Sequence, residues 1–366
     1  MKIEDPQSSS LRDRCSITFS VMPPVEQLES EWRELDAHSA GSVFLSWPWI
    51  ATAFTNPDPD TVLARITCGP LTIGLGLLGL NKRRFLLWHK TSLHLNETGD
   101  PTKDQVMCEY NGLLTIKGRE QEATEAFLTG LNDSKPYGGR DLHLSGVTGL
   151  WNKLCPQNGW KTRLLRVPQI APFAALQSAS TDDPLAALSR NSRQQIRRSL
   201  RFYETQNPLS IKRADTEEQA LAWLDDLETL HTKAWNRRGK KGAFSDPSFR
   251  DFHRRLISTT FSEGVTDLLR VQSGETVLGY LYNLRWRDVV YAYQSGFQFE
   301  QAPDARPGLV CHVLAMGLYR EEGMATYRFL AGDARYKNSL ATGTDELFWI
   351  KSHHSGLYGI RPYWIG

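Results

Sequence analysis

The chain has no apolar run long enough to suggest a membrane span. The longest, Leu71 to Leu80, is ten residues and contains three glycines, against the roughly 20 that a spanning helix needs. Cysteine is scarce. Cys15, Cys68, Cys108, Cys155 and Cys311 are scattered, odd in number and never in a C-x-x-C. That predicts reduced thiols in a reducing compartment, and neither a disulfide framework nor a zinc site. A dominant charge is also missing: the net charge is +2, which removes a whole-molecule case for nucleic-acid binding and leaves only local patches. No DNA partner is expected. The first ten residues, MKIEDPQSSS, carry no hydrophobic signal core, so a cytoplasmic protein without membrane insertion is expected. There is no P-loop and no readable Ser-His-Asp arrangement. His353-His354 has no carboxylate or cysteine at ligand spacing, so no metal is expected. What is present, 40% apolar and 23% charged residues over 366 positions, is a globular composition with room for two domains.

The chain also repeats itself, about 200 residues apart. GPLTIGLGL around Gly69 answers GETVLGYLY around Gly274; each has a glycine turn between apolar segments and a second glycine five residues on, Gly74 and Gly279. Upstream, Phe44-Leu45-Ser46-Trp47-Pro48 corresponds to Phe244-Ser245-Asp246-Pro247; downstream, DLHLSG ending at Gly146 matches YRFLAG ending at Gly332. Two copies of one mixed α/β (α+β) unit are expected, one active and one supporting.

Periodicity places a helix over 25–37, strands near 62–67, 71–80 and 84–88, a strand near 109–114 and a helix over about 119–131. Residues 1–16 read as a flexible tail, 17–165 as the first domain, 166–183 as a linker and 184–366 as the second domain. The prolines and polar cluster of 166–184 mark the crossing. Asp182-Asp183-Pro184 looks like a capped helix start. The following helix gathers Arg190, Arg193, Arg197 and Arg201 on one face, either a phosphate-binding face or a solvated one. A helix from about Thr216 to Arg237, strands at 265–271, 276–286 and 288–296, and a helix from about Gly308 to Glu322 complete the second copy.

The sharpest local signal is the strand VVYAYQSGF leading through a polar loop to Arg306-Pro307-Gly308 at a helix start. Proline suits the first helical turn. Glycine allows close approach, and the free N–H groups with the helix dipole favour an anion. Arg306 would complete a pyrophosphate cradle with Gly308, Leu309 and Val310. A plain strand-to-helix corner would look the same. The first copy has Lys117-Gly118-Arg119 there, without the proline, so the second half is expected to bind the cofactor.

This order of elements resembles the GNAT acyltransferase superfamily, and more closely its FemAB-like branch, which carries two GNAT folds in tandem. Within that branch the chain resembles the acetyltransferases associated with cellulose and other exopolysaccharide biosynthesis. The matching residues are SRNSRQQIRRSLRFYE (189–204), Trp235, Arg238, Gly279, Pro307-Gly308 and GDARYK (332–337). One departure is clear: the Q/R-x-x-G-x-G/A loop of the better-known members is replaced by Arg306-Pro307-Gly308. The resemblance implies direct attack of an amine or hydroxyl on an acyl-CoA thioester, with acetyl-CoA or another acyl-CoA as co-substrate and a small polar or saccharide acceptor. Strand donors at Gln294, Ser295 and Gly296 would hold the thioester oxygen. Asp333 and Glu228 are candidate bases and Tyr336 and Tyr293 candidate acids. Lys337 joins the cofactor set. Asp333 could equally cap a turn, Glu228 could be a solvated helix residue, and one of Tyr291 and Tyr293 is expected in the core. A Fem-like transferase using charged tRNA, the one reading with a tRNA partner, and a non-catalytic binding protein on the same scaffold are the alternatives.

Overall fold

The computed structural model describes residues 15–354 except 56–58, 86–87, 107, 135–136, 138–139, 178–184 and 303. Most of the expected N-terminal tail (1–14) and the Asp182–Pro184 helix start therefore lie outside the described residues. The first half comprises β1 (Cys15–Val21), α1 (Val25–Ala37), α2 (Trp47–Ala53), β2 (Val62–Cys68), β3 (Leu71–Phe85) and β4 (Trp88–Leu95). It continues with β5 (Leu114–Thr115), α3 (Glu120–Asp133), β6 (Asp141–Thr148), α4 (Gly149–Gln157), β7 (Trp160–Leu164) and β8 (Gln169–Ala175). The second half comprises α5 (Arg190–Glu204), β9 (Leu209–Arg213), α6 (Glu217–Asn236), α7 (Pro247–Thr260), β10 (Thr266–Ser273), β11 (Thr276–Trp286) and β12 (Val289–Phe297). It ends with α8 (Pro307–Glu321), β13 (Thr326–Arg328), α9 (Arg335–Leu340) and β14 (Gly343–His354).

The strands form one sheet in the order β1-β2-β3-β4-β6-β14-β8-β13-β12-β11-β10-β9. Read from either end, it has three antiparallel pairings and then a parallel one: β4 with β6, and β12 with β13. The repeat extends to detail. Gly69 and Gly274, the hairpin-turn glycines, both have φ of 57°. Each hairpin is bulged at the residue before its second glycine: Ile66 pairs with Gly74 and Thr67 with Thr72, as Val271 pairs with Gly279 and Gln272 with Val277. The doubled mixed α/β fold expected from the sequence is thus present.

Its boundaries differ from the expected ones. Cys15 and Ser16 belong to β1, not to a tail. The stretch taken as a linker contains β8, which pairs with β13 of the second half and with β14. In turn β14, from the end of the chain, pairs with β6 and β7 of the first half. The halves exchange their last strands, which satisfies backbone groups that would otherwise be open sheet edges. Cys15 and Cys68 face each other in the β1–β2 register, so strand pairing brings together two residues that the sequence separates by 53.

One aromatic core spans both halves. Trp32, Phe44 and Trp49 pack with Phe249, Phe252, Tyr291 and Tyr293. Trp49 and Phe252, from the equivalent helices α2 and α7, lie 4.9 Å apart. A polar clamp adds to this, with Arg287 donating to the buried Asp36 carboxylate at 2.7 Å. Among the described residues no helix is long and apolar enough to cross a membrane.

Candidate active site

Each half contains a place where two parallel strands part. In the first, β4 and β6 pair over Ser92–His94 and Asp141–His143 and then diverge. The chain at 108–112 fills that gap. Asn111 bridges to Val147, its N–H donates to the Gly146 carbonyl at 3.1 Å and its Nδ2 to the Leu95 carbonyl at 2.8 Å. Asn96 donates to Asn111 Oδ1 and to the Gly112 carbonyl. The fit is close: a Cβ on Gly146 (φ 62°) would lie 2.4 Å from the Cys108 carbonyl oxygen. In the second half, β12 and β13 pair over Val289–Tyr291 and Thr326–Arg328 and then diverge. Among the described residues no strand or isolated bridge joins 292–297 to anything on that side. The equivalent glycine, Gly332, has only the Lys337 amine near the Cβ position, at 3.6 Å.

Helix α8 begins beside this open parting. Pro307 occupies its first turn and Arg306 is its N-cap residue. The N–H groups of Leu309 and Val310 fold back onto the Arg306 carbonyl, and both side chains are buried. Gly308 is fixed by packing, since a Cβ there would meet the Phe297 ring at 3.1 Å. Arg306 donates to Gln195 on α5 at 2.9 Å, and its N–H donates to the buried Ser199 hydroxyl. The arginine-rich helix is therefore docked on the start of α8, which the sequence did not foretell. Arg190, Arg197 and Arg201 of its basic face are exposed, and Arg193 donates to the Ala186 and Leu188 carbonyls.

The four expected catalytic side chains separate. Tyr336 is packed into the second-half core, its ring stacked 5.0 Å from His312. Burial pushes its phenol up to about 12, partly offset by the Arg238 charge, so it holds its proton at neutral pH. Tyr293 and Tyr291 are both buried in the core shared by the halves. One of the two was expected in the core; both are there, because residues two apart share a strand face. Glu228 is ion-paired to Arg250 at 2.7 Å on the α6 surface. Asp333 is exposed and accepts from Asn338 Nδ2 at 2.7 Å beside α9. Lys337 is turned inward, donating to the Leu330 and Ala331 carbonyls at 3.1 and 2.8 Å. Burial lowers its amine to about 8, with Glu109 opposing; it ties the segment after β13 and does not reach outward to a phosphate. Gln294 and Ser295 are half-buried and Gly296 is buried on β12. A Cβ on Gly296 would lie 2.5 Å from the Leu227 carbonyl oxygen of α6.

Sequence reasoning missed Glu109. It comes from the segment that fills the first parting, yet its carboxylate accepts the Ala331 N–H at 2.6 Å, just beyond β13. Only 5% exposed, it is raised above the ordinary carboxylate range by burial, against the Ala331 bond and the Lys337 and Arg166 charges. The supporting half therefore brings a buried carboxylate to the end of β13. The one hint in the sequence was a carboxylate in a stretch (VMCEYNGLL) that is otherwise almost uncharged.

His312 is a second omission. Its Nδ1 lies 2.9 Å from the Tyr327 hydroxyl. Asn283 donates to Tyr319, which donates to the Asp267 carboxylate, both at 2.9 Å. Among the described residues His312 Nε2 is buried without a partner. The ring sits among Phe297, Phe329 and Tyr336, side chains from both sides of the parting. Burial lowers it to about 3, assisted by Lys337, so it is neutral.

Comparison with known proteins agrees with this geometry. Residues 190–338 match the family described as Acetyltransferase (GNAT) domain. Among solved structures the chain is similar to FemX, at 11% identity and a TM-score of 0.58, over 92% of this chain and 96% of that one. It is similar to a conserved protein of unknown function from Bacteroides thetaiotaomicron, at 12% identity and 0.52, over 92% and 99%. A third is the C-terminal domain of a putative lysylphosphatidylglycerol synthetase from Agrobacterium fabrum, at 10% identity and 0.50, over 91% and 92%. No curated protein sequence matches the chain. At such identities the structural likeness is one of fold. Residues 190–338 thus carry the match to an acetyltransferase (GNAT) domain, and the whole chain has the doubled fold shared with FemX.

Proposed function

We propose that the protein is an acyl-CoA-dependent acyltransferase, with acetyl-CoA the favoured donor. The acceptor is an amine or hydroxyl on a sugar-like or small polar molecule, in keeping with the exopolysaccharide-associated branch that the sequence resembles. One observation carries this reading: the parting of β12 and β13 is open beside the start of α8, whereas the equivalent parting of β4 and β6 is filled by the chain's own Asn111 segment. One half is available to a thioester arm and the other is sealed.

In this reading the pyrophosphate lies at the start of α8, where the helix dipole favours an anion, with Arg306 and the α5 arginines nearby; the Leu309 and Val310 N–H groups stay on the Arg306 carbonyl. The thioester lies along Gln294–Gly296. The amine attacks the thioester carbonyl, and its proton passes to a carboxylate. Glu109 is favoured over Asp333 because burial raises its proton affinity toward that of a working base. Tyr336, still protonated at neutral pH, gives its proton to the departing thiolate; the phenolate is then reprotonated and the carboxylate gives up the amine's proton, which restores both groups. Calorimetry with acetyl-CoA tests the reading: a single site weakened by Gly308→Val supports it.

The second reading is an aminoacyl transferase using charged tRNA. It is favoured by the fold likeness to FemX and by the exposed arginines of α5. It predicts binding of charged tRNA and no response to acetyl-CoA.

A further inference from the structure

A cavity of about 200 Å³ lies against the filled parting of the first half. Its wall is made by residues of the 110–115 segment, the starts of α3 and α4, and Tyr291 and Arg328 of the second half. We infer that this cavity is a binding site for a neutral polyhydroxylated ligand the size of a sugar ring, seated on the Trp151 indole N–H. The site lies outside the groups that the transferase reading uses. Tyr291 and Arg328 are the last paired residues of β12 and β13, so the cavity reaches the place where the open parting begins. On the transferase reading, on which this last step alone rests, the bound ring is part of the acceptor.

The reason is a set of polar groups left without partners around one space. Trp151 is 3% exposed, and among the described residues its Nε1 has no hydrogen-bond partner. Gly112 stands beside it: a Cβ there would lie 3.0 Å from Nε1, and both residues line the cavity. The absent side chain leaves the N–H facing that space. A buried N–H is destabilising unless water or a ligand accepts it. Thr115, also buried in the lining, has a hydroxyl without a partner among the described residues. Arg328 gives Nη1 to the Tyr110 hydroxyl at 2.8 Å and to Asp345, which leaves Nε and Nη2 unpartnered among the same residues. The charge of the lining then selects the class of ligand. Its charged side chains, Arg328 and Glu120, are opposite in sign, and Asp345 already pairs with Arg328. Neither an anion nor a cation finds a net counter-charge here. What remains is a few placed donors, the Glu120 carboxylate as acceptor, and the rings of Trp151, Tyr110 and Tyr291, which together suit the hydroxyls and apolar face of a sugar ring.

The test is ligand-observed NMR on the full chain with glucose, N-acetylglucosamine and methyl glucoside at millimolar concentration. Inorganic phosphate and spermidine serve as charged controls, and acetyl-CoA is titrated separately by calorimetry. At least one of the sugars should bind, with phosphate and spermidine ten-fold or more weaker. Trp151→Phe keeps an aromatic ring and removes the N–H; it should weaken the sugar by about five-fold or more. Thr148→Phe, at an exposed position of the lining, narrows the cavity and should weaken the sugar by ten-fold or more. Urea unfolding checks that both variants fold, and Thr148→Phe carries the test alone if Trp151→Phe does not. No sugar binding, sugar binding unchanged in either folded variant, or phosphate or spermidine binding as tightly as the sugar would each overturn the inference. If a sugar binds through Trp151 while acetyl-CoA does not bind, the sugar seat stands and the acyl-CoA reading falls; if acetyl-CoA binds and no sugar does, the reverse holds.

Discussion

The Glu109 carboxylate accepts the Ala331 N–H at 2.6 Å, so a buried acid from the first half is seated on the segment that leaves the last parallel strand of the second. The two halves are therefore interdependent at the point where chemistry is proposed, and not only through their shared aromatic core. Glu109→Gln keeps the acceptor oxygen for Ala331 but cannot take a proton. It should lower turnover by about 10²- to 10⁴-fold with coenzyme affinity little changed, read by thiol release with a responsive acceptor. Asp333→Asn should leave turnover near the parent value. The reverse pattern would move the base to Asp333.

Glu109→Gln also carries a stability signature. Its folded pKa is raised, so its proton-linked contribution is complete below the unfolded value and declines as pH rises through the folded one. The glutamine variant should gain on the parent as pH increases, measured by urea unfolding from pH 5 to 9. A glutamine variant that loses stability relative to the parent as pH rises would contradict this.

The filled first parting should matter for stability and not for coenzyme binding. Asn111 is buried and its side chain bonds Leu95, Asn96 and Gly112. Asn111→Ala removes these at once and should destabilise by about 2–4 kcal/mol, since each orphaned buried partner costs roughly 1–3 kcal/mol. Urea midpoints and acetyl-CoA calorimetry on the same variant separate the two effects. A drop in affinity without loss of stability would mean that the first parting binds ligand.

Three histidines of the second half are buried and neutral. Burial lowers His253 and His312 to about 3 and His231 to about 4. Unfolded, they titrate near 6.5, so the unfolded chain binds more protons below that pH. Their contribution is complete above about 6.5 and is lost as pH falls toward the folded values. Each should add about 1.4 kcal/mol per pH unit to the slope between about pH 6 and 4. His253→Phe should flatten the slope of unfolding free energy with pH by about one such increment; an unchanged slope would mean that His253 is protonated in the folded protein.

The fold was legible where local chemistry dictates it. Gly69 and Gly274, with their bulges before Gly74 and Gly279, follow from a turn that needs positive φ, and the 3.6-residue pattern gave α1 with its bounds of Val25 and Ala37. The strand exchange was not legible, because neither β8 nor β14 says in its own sequence which partner it will pair with. Nor was the site fully readable. Glu109 reaches Ala331 across 222 residues, and no periodicity reports such a contact. His312 left a trace, as the one basic residue in the apolar stretch from Pro307 to Tyr319. The basic face of α5 was visible, but its docking on the start of α8 through Ser199 and Gln195 was not.

The central claim is that one half takes up acyl-CoA and the other is sealed. Titration of acetyl-CoA into the full chain by calorimetry tests it most directly. The account predicts a single site per chain, weakened ten-fold or more by Gly308→Val at the start of α8 and unchanged by Asn111→Ala in the sealed half. Two sites, one site indifferent to Gly308→Val, or no binding at all would contradict it.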